Sequence, residues 1–173
     1  MNNNIISQFL AFLGYLAFHI FVARKLVFGQ WVFSYVYVGF LLTLSPSISK
    51  SRLLIVAFFV GLMIDLFEYS PGIHASACVL LAFVRPYLVS LLAARNNIDE
   101  DEIREISIRE MSFSVFSGYS FLLILLHHLA VFLLEAWTSK LLWLSLQKTF
   151  FSSIFTFISV ILIQYLFFTS RRR

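Results

Sequence analysis

Charge is scarce in this chain. Of its 173 residues only 13% are Asp, Glu, Lys or Arg, where an ordinary soluble domain carries about a quarter. So few charged side chains cannot cover a water-facing surface. A single cysteine, Cys78, excludes an intrachain disulfide and is expected to be a buried free thiol. Only three prolines and six glycines punctuate the sequence, and its longest polar stretch is the 16 residues 95–110. No nucleotide-binding, periplasmic or soluble catalytic domain fits in loops that short.

What fills the chain instead is apolar. Hydrophobic residues make up 60%, with 21 phenylalanines, and mean hydropathy is +0.89. The solvent is lipid, and the class expected is an all-α integral membrane protein with a single transmembrane domain over 1–173. A helix needs about 20 residues to cross a bilayer core of about 30 Å. Runs of suitable length lie at about 5–23, 26–44, 53–69, 73–94, 111–134 and 141–168. They predict a compact six-helix bundle, with five spans as the alternative count. "MNNN" has no basic region and no small-residue cleavage site follows, so the first run is expected to stay as a helix.

The Lys and Arg distribution sets the expected orientation. Lys50, Arg52, Arg95, Arg104, Arg109 and Arg171 to Arg173 share one side, eight against the four of Arg24, Lys25, Lys140 and Lys148. Both termini are therefore expected in the cytoplasm. The terminal arginines suit an anionic membrane surface, and no nucleic acid partner is expected. Segment 95–110 is expected at the cytoplasmic face as a short amphipathic helix or a solvated linker. Asp99 and Glu102 form a capping box there, Glu100–Arg104 and Glu105–Arg109 are i,i+4 pairs, and Ile103, Ile106 and Met111 make a thin apolar stripe.

One stretch stands out inside the apolar runs: "GLMIDLFEYSPGIHA", residues 61–75. It reads as a tight outer turn between the third and fourth spans, broken at Pro71-Gly72. Proline can open a helix at no hydrogen-bonding cost, and glycine accepts turn geometry. Asp65 and His74 lie at similar depth on either side of the turn, so their side chains are expected to meet. An ionisable group in a span faces protein or water, so Asp65 is either a fastener between two helices or a ligand, proton or partner site. Arg85, roughly 20 Å beyond the turn, is expected to snorkel toward the inner headgroups beside a helix disturbance at Pro86.

Other signals resemble chemistry without the spacing for it. His127 and His128 point about 100° apart on a helix and cannot chelate one ion. They are expected to be buried, with His128 within reach of Glu135. "FSVFSGYS" lacks the GxSxG pattern, and no HExxH is present. Gln164 is expected to bond between helices. No enzyme activity and no cofactor or metal is expected.

The short spans, near-absent loops and an outer hairpin of the form G-x3-D-x6-G-x-H-A resemble the bacterial rod shape-determining protein MreD family. The matching positions are Gly61, Asp65, Gly72, His74 and Ala75, followed by Arg85-Pro86-Tyr87. The second run departs from the pattern, opening "GQWVFSYVY" where many members carry Pro-Asp, and the polar 95–110 segment is longer. The resemblance implies a non-catalytic scaffold in the inner membrane that binds a single-span MreC-like protein. Through it the chain would meet a glycan polymerase, a penicillin-binding transpeptidase and actin-like MreB filaments. It also implies a fold similar to the substrate-binding S-components of energy-coupling-factor transporters. The alternative function is therefore a small-molecule carrier subunit, with Asp65, Glu68, His74 and Tyr119 as its convergent polar groups.

Overall fold

The computed structural model describes residues 2–25, 31–95, 103, 105–136 and 141–168, and every structural statement concerns those residues. Helix α1 (Asn2–Phe21) ends in a 3-10 turn, Ala23–Lys25. A short α2 (Val38–Thr43) precedes α3 (Lys50–Glu68) and α4 (Ile73–Arg95). The four-residue α5 (Ile108–Met111) leads into α6 (Phe113–Ala136) and α7 (Leu142–Phe168). No strand element occurs among the described residues. The chain is an all-α membrane protein: α4, α6 and the Leu142–Leu166 part of α7 are each long and apolar enough to cross a bilayer.

Helices α3 and α4 lie against each other, α4 against α6, and α6 against α7. Their shared core includes Leu53, Ile64, Leu81, Phe116, Leu123 and Phe132. The opposite faces carry Phe58, Phe59, Leu66, Phe83, Leu91 and Leu122, all exposed, as lipid-facing positions would be. At Gly61 the backbone of α3 lies close against that of α4. A Cβ there would fall 2.5 Å from the His74 carbonyl oxygen and also collide with the Ala75 Cα.

The second apolar run corrects the sequence reading. A continuous helix was expected over 26–44; residues 26–30 lie outside the described set, and of 31–44 only Val38–Thr43 is helical. The stretch before α2 is nonetheless buried, with Ser34, Tyr35, Val36 and Tyr37 each at most 9% exposed. Irregular backbone at membrane depth requires partners within the protein. Helix α7 supplies them. The Phe33 N–H donates to Ser152 Oγ at 3.0 Å and the Tyr35 N–H to Thr156 Oγ1 at 3.0 Å. Four helical residues rise about 6 Å and two extended residues about 6.6 Å, so the two chains stay in step. Ser145, Thr149, Ser152, Thr156 and Ser159 continue the same face of α7.

The polar 95–110 segment differs as well. Asp99, Glu100, Glu102 and Arg104 lie outside the described residues, and Glu105 is not helical. The helix that does form, α5, takes Ser107 as its N-cap, whose Oγ accepts from the Glu110 N–H at 3.4 Å. Ile103, Ile106 and Met111 are each buried, but only Met111 lies in α5, so they do not form the helical stripe expected.

Candidate functional site

The hairpin between α3 and α4 turns through two residues of positive φ, Tyr69 at 56° and Gly72 at 81°. Tyr69 ends α3 in the left-handed conformation, its N–H returning to the Asp65 carbonyl. Gly72 stands immediately before α4 and has no side chain with which to cap it. Asp65 supplies that cap from the neighbouring helix. Its Oδ1 accepts from the His74 N–H at 2.9 Å and its Oδ2 from the Ala75 N–H at 3.0 Å. Ser70 Oγ donates to Oδ1 as well, at 2.8 Å. Two of the four orphan N–H groups at the helix start are satisfied by a carboxylate on the favourable end of the dipole.

This revises the expected pairing. Asp65 grips the main chain of His74 and not its imidazole. The ring instead meets the phenol of Tyr37, at 2.8 Å from His74 Nδ1. That same hydroxyl lies 3.0 Å from His127 Nε2. One phenol proton can be given to only one ring, so at least one of the two imidazoles donates to the Tyr37 oxygen. Cys78 Sγ stands 3.8 Å from His127 Nε2, buried and free as expected.

His128, buried like His127 as expected, belongs to a different bond set, whose partners are Ile124 and Thr156 and not Glu135. Its Nδ1 faces the Ile124 carbonyl at 2.9 Å, which can only accept, so Nδ1 carries the proton. Nε2 is then an acceptor, 3.1 Å from the Thr156 hydroxyl. Thr156 thus links the imidazole to the Tyr35 N–H.

Arg85 also departs from expectation. It does not snorkel: it is 2% exposed. Its Nε donates to Tyr119 Oη at 2.9 Å, and its Nη2 donates to the carbonyls of Leu42 and Leu44. Tyr119 donates in turn to Leu42 at 2.8 Å. Those carbonyls end α2, whose dipole favours a cation there. Helix α4 runs through Pro86 without ending, although the Ala82 carbonyl loses its usual i+4 donor. Asp65 and Arg85, the two buried charges of the hairpin, are each neutralised by a helix terminus.

A cavity of about 230 Å³ opens beside the turn, lined among others by His19, Arg24, Tyr35, Glu68, His74 and Glu135. Arg24 Nε lies 3.2 Å from Glu68 Oε1 and joins the end of α1 to the end of α3. Sequence reading found Glu68 and His74 but missed His19, Tyr35 and Tyr37. The signal for the tyrosines was the aromatic alternation Phe33-x-Tyr35-x-Tyr37, a period of two that suits an extended segment and not a helix. No group of three or more His, Cys, Asp or Glu is arranged to hold a metal among the described residues.

Comparison with known proteins finds no matching family model, no matching curated protein and no matching solved structure.

Proposed function

We propose that this chain is a non-catalytic scaffold of the cell-elongation machinery, an MreD-like protein in a bacterial inner membrane. In this reading the chain crosses the membrane six times with both termini in the cytoplasm. It binds a single-span MreC-like partner and helps position the glycan polymerase and transpeptidase of peptidoglycan synthesis. The observation that carries it is the use of Asp65. A carboxylate whose two oxygens accept main-chain N–H groups of α4 serves as a fastener between the two helices. The other positions of the G-x3-D-x6-G-x-H-A pattern also have structural tasks, as does Arg85. Gly61 admits the α4 backbone, Gly72 makes the turn, His74 and Ala75 present the clamped N–H groups, and Arg85 holds α2.

The carrier reading is favoured by one observation, the cavity beside the turn. At about 230 Å³ it is below the roughly 300–1,000 Å³ typical of small-molecule pockets, and a second cavity of about 330 Å³ beside Pro46 and Arg85 stands at the bottom of that range. Co-purification in mild detergent from the native membrane, followed by mass spectrometry, separates the two. Cell-wall elongation proteins are the expected companions; recovery of ATPase subunits in their place would establish the carrier.

A further inference from the structure

We propose that the cavity beside the α3–α4 turn binds a single organic cation, an alkylammonium or guanidinium group. His19 is the first sign. It is 1% exposed and lines the cavity, yet neither ring nitrogen has a hydrogen-bond partner. Glu68 Oε1 is 3.6 Å from Nε2, within ion-pair range of the ring but longer than a hydrogen bond. A buried imidazole left so costs free energy unless something polar enters the space beside it.

The charge of the lining decides what enters. Arg24 contributes one positive charge, and Glu68 and Glu135 two negative ones, a sum of −1. Arg24 is already engaged with Glu68 at 3.2 Å, whereas Glu135 has no ion-pair partner among the described residues. An imidazole nitrogen that bears no proton offers a lone pair to an N–H donor, as a carboxylate does. The walls include Phe33 and Tyr35, and aromatic ring faces attract cations. Lys148 lies outside the lining, with its Nζ 5.5 Å from the Phe33 centroid, so the sum of −1 is that of the lining residues alone. The volume suits one small head group or one side chain, with no room for a vitamin-sized ligand. Two sources can deliver such a group: a free small amine, or a lysine or arginine side chain of another protein. This inference rests on neither reading of the overall function.

The test uses the full chain in lipid nanodiscs with ¹⁵N-labelled histidine. Butylammonium chloride is titrated against sodium butyrate, and the His19 ring resonances are assigned with His19→Gln. The expected result is a saturable shift with butylammonium and none with butyrate. Glu135→Gln, at an exposed position, weakens it about tenfold, equivalent to about 1.4 kcal/mol. Zero-length carbodiimide coupling in isolated membranes then identifies the source. An isopeptide from Glu135 to a lysine of another protein marks a partner side chain, and saturable binding without such a product marks a free amine. Absence of a saturable shift, an equal response to butyrate, or unchanged binding by Glu135→Gln overturns the proposal, whatever the coupling yields.

Discussion

The carboxylate of Asp65 on α3 accepts the main-chain N–H of Ala75 on α4 at 3.0 Å, ten residues along the chain, and so closes the hairpin. Asn at position 65 keeps one acceptor oxygen but turns an amide N–H₂ toward a second N–H donor. Leu removes every acceptor and strands two N–H groups. Hydrogen bonds within membrane proteins contribute about 0.6 to 2 kcal/mol each. Thermal unfolding in detergent should therefore rank wild type above Asp65→Asn and Asp65→Asn above Asp65→Leu. A Leu variant as stable as wild type would remove the clamp from the account.

Arg85 and Tyr119 should behave as one unit. Arg85→Lys loses the planar fork that reaches two carbonyls and the phenol together. Tyr119→Phe loses the bond to Leu42 and the acceptor for Arg85 Nε. A double-mutant cycle on unfolding free energy should give a coupling of about 0.5–3 kcal/mol. Strict additivity would mean that the two side chains act separately.

Gly61 and Gly118 offer a matched pair. Both sit inside helices, but a Cβ at Gly118 meets nothing within 4 Å, whereas one at Gly61 strikes the backbone of α4. Gly61→Ala forces α3 and α4 apart and should cost about 1–3 kcal/mol. Gly118→Ala should be neutral or stabilising by up to about 1 kcal/mol through helix propensity. Unfolding of both variants side by side checks the sign of each.

The hairpin was legible from sequence because its signals are local. Asp65, the Pro71-Gly72 break and His74 fall within ten residues, and the depth argument placed them together. Only the identity of the acceptor's partner was wrong, since a pattern of side chains does not display main-chain N–H groups. Arg85 was misread for a related reason: its partners are carbonyls of Leu42 and Leu44, which every residue carries and no sequence marks. The segment before α2 was hidden by distance. Its apolar content mimics a span, while the hydroxyls that make an extended conformation tolerable lie about 120 residues later in α7. The i, i+4, i+7, i+11, i+14 spacing of Ser145, Thr149, Ser152, Thr156 and Ser159 was readable, but its purpose was not.

That spacing yields a further prediction. Thr156→Val preserves shape and removes the acceptor for the Tyr35 N–H together with the link to His128. With hydrogen bonds in membranes contributing about 0.6 to 2 kcal/mol each, a loss of about 1–3 kcal/mol is expected in unfolding. Thr156→Ser retains the hydroxyl and should recover most of it. Equal behaviour of Val and Ser would show that the ladder does not hold the extended segment.

In the scaffold proposed, Asp65 serves the fold and not a reaction. The most direct measurement is complementation of rod shape in cells lacking the native gene, set against the amount of folded protein in the membrane, for Asp65→Asn, Asp65→Leu and Gly61→Ala. The account predicts one common relation, in which function follows folded protein for all three and Asp65→Asn retains more of both than Asp65→Leu. Loss of shape in Asp65→Asn at wild-type folded level, with Asp65→Leu no worse, would contradict it and make the negative charge itself the functional group.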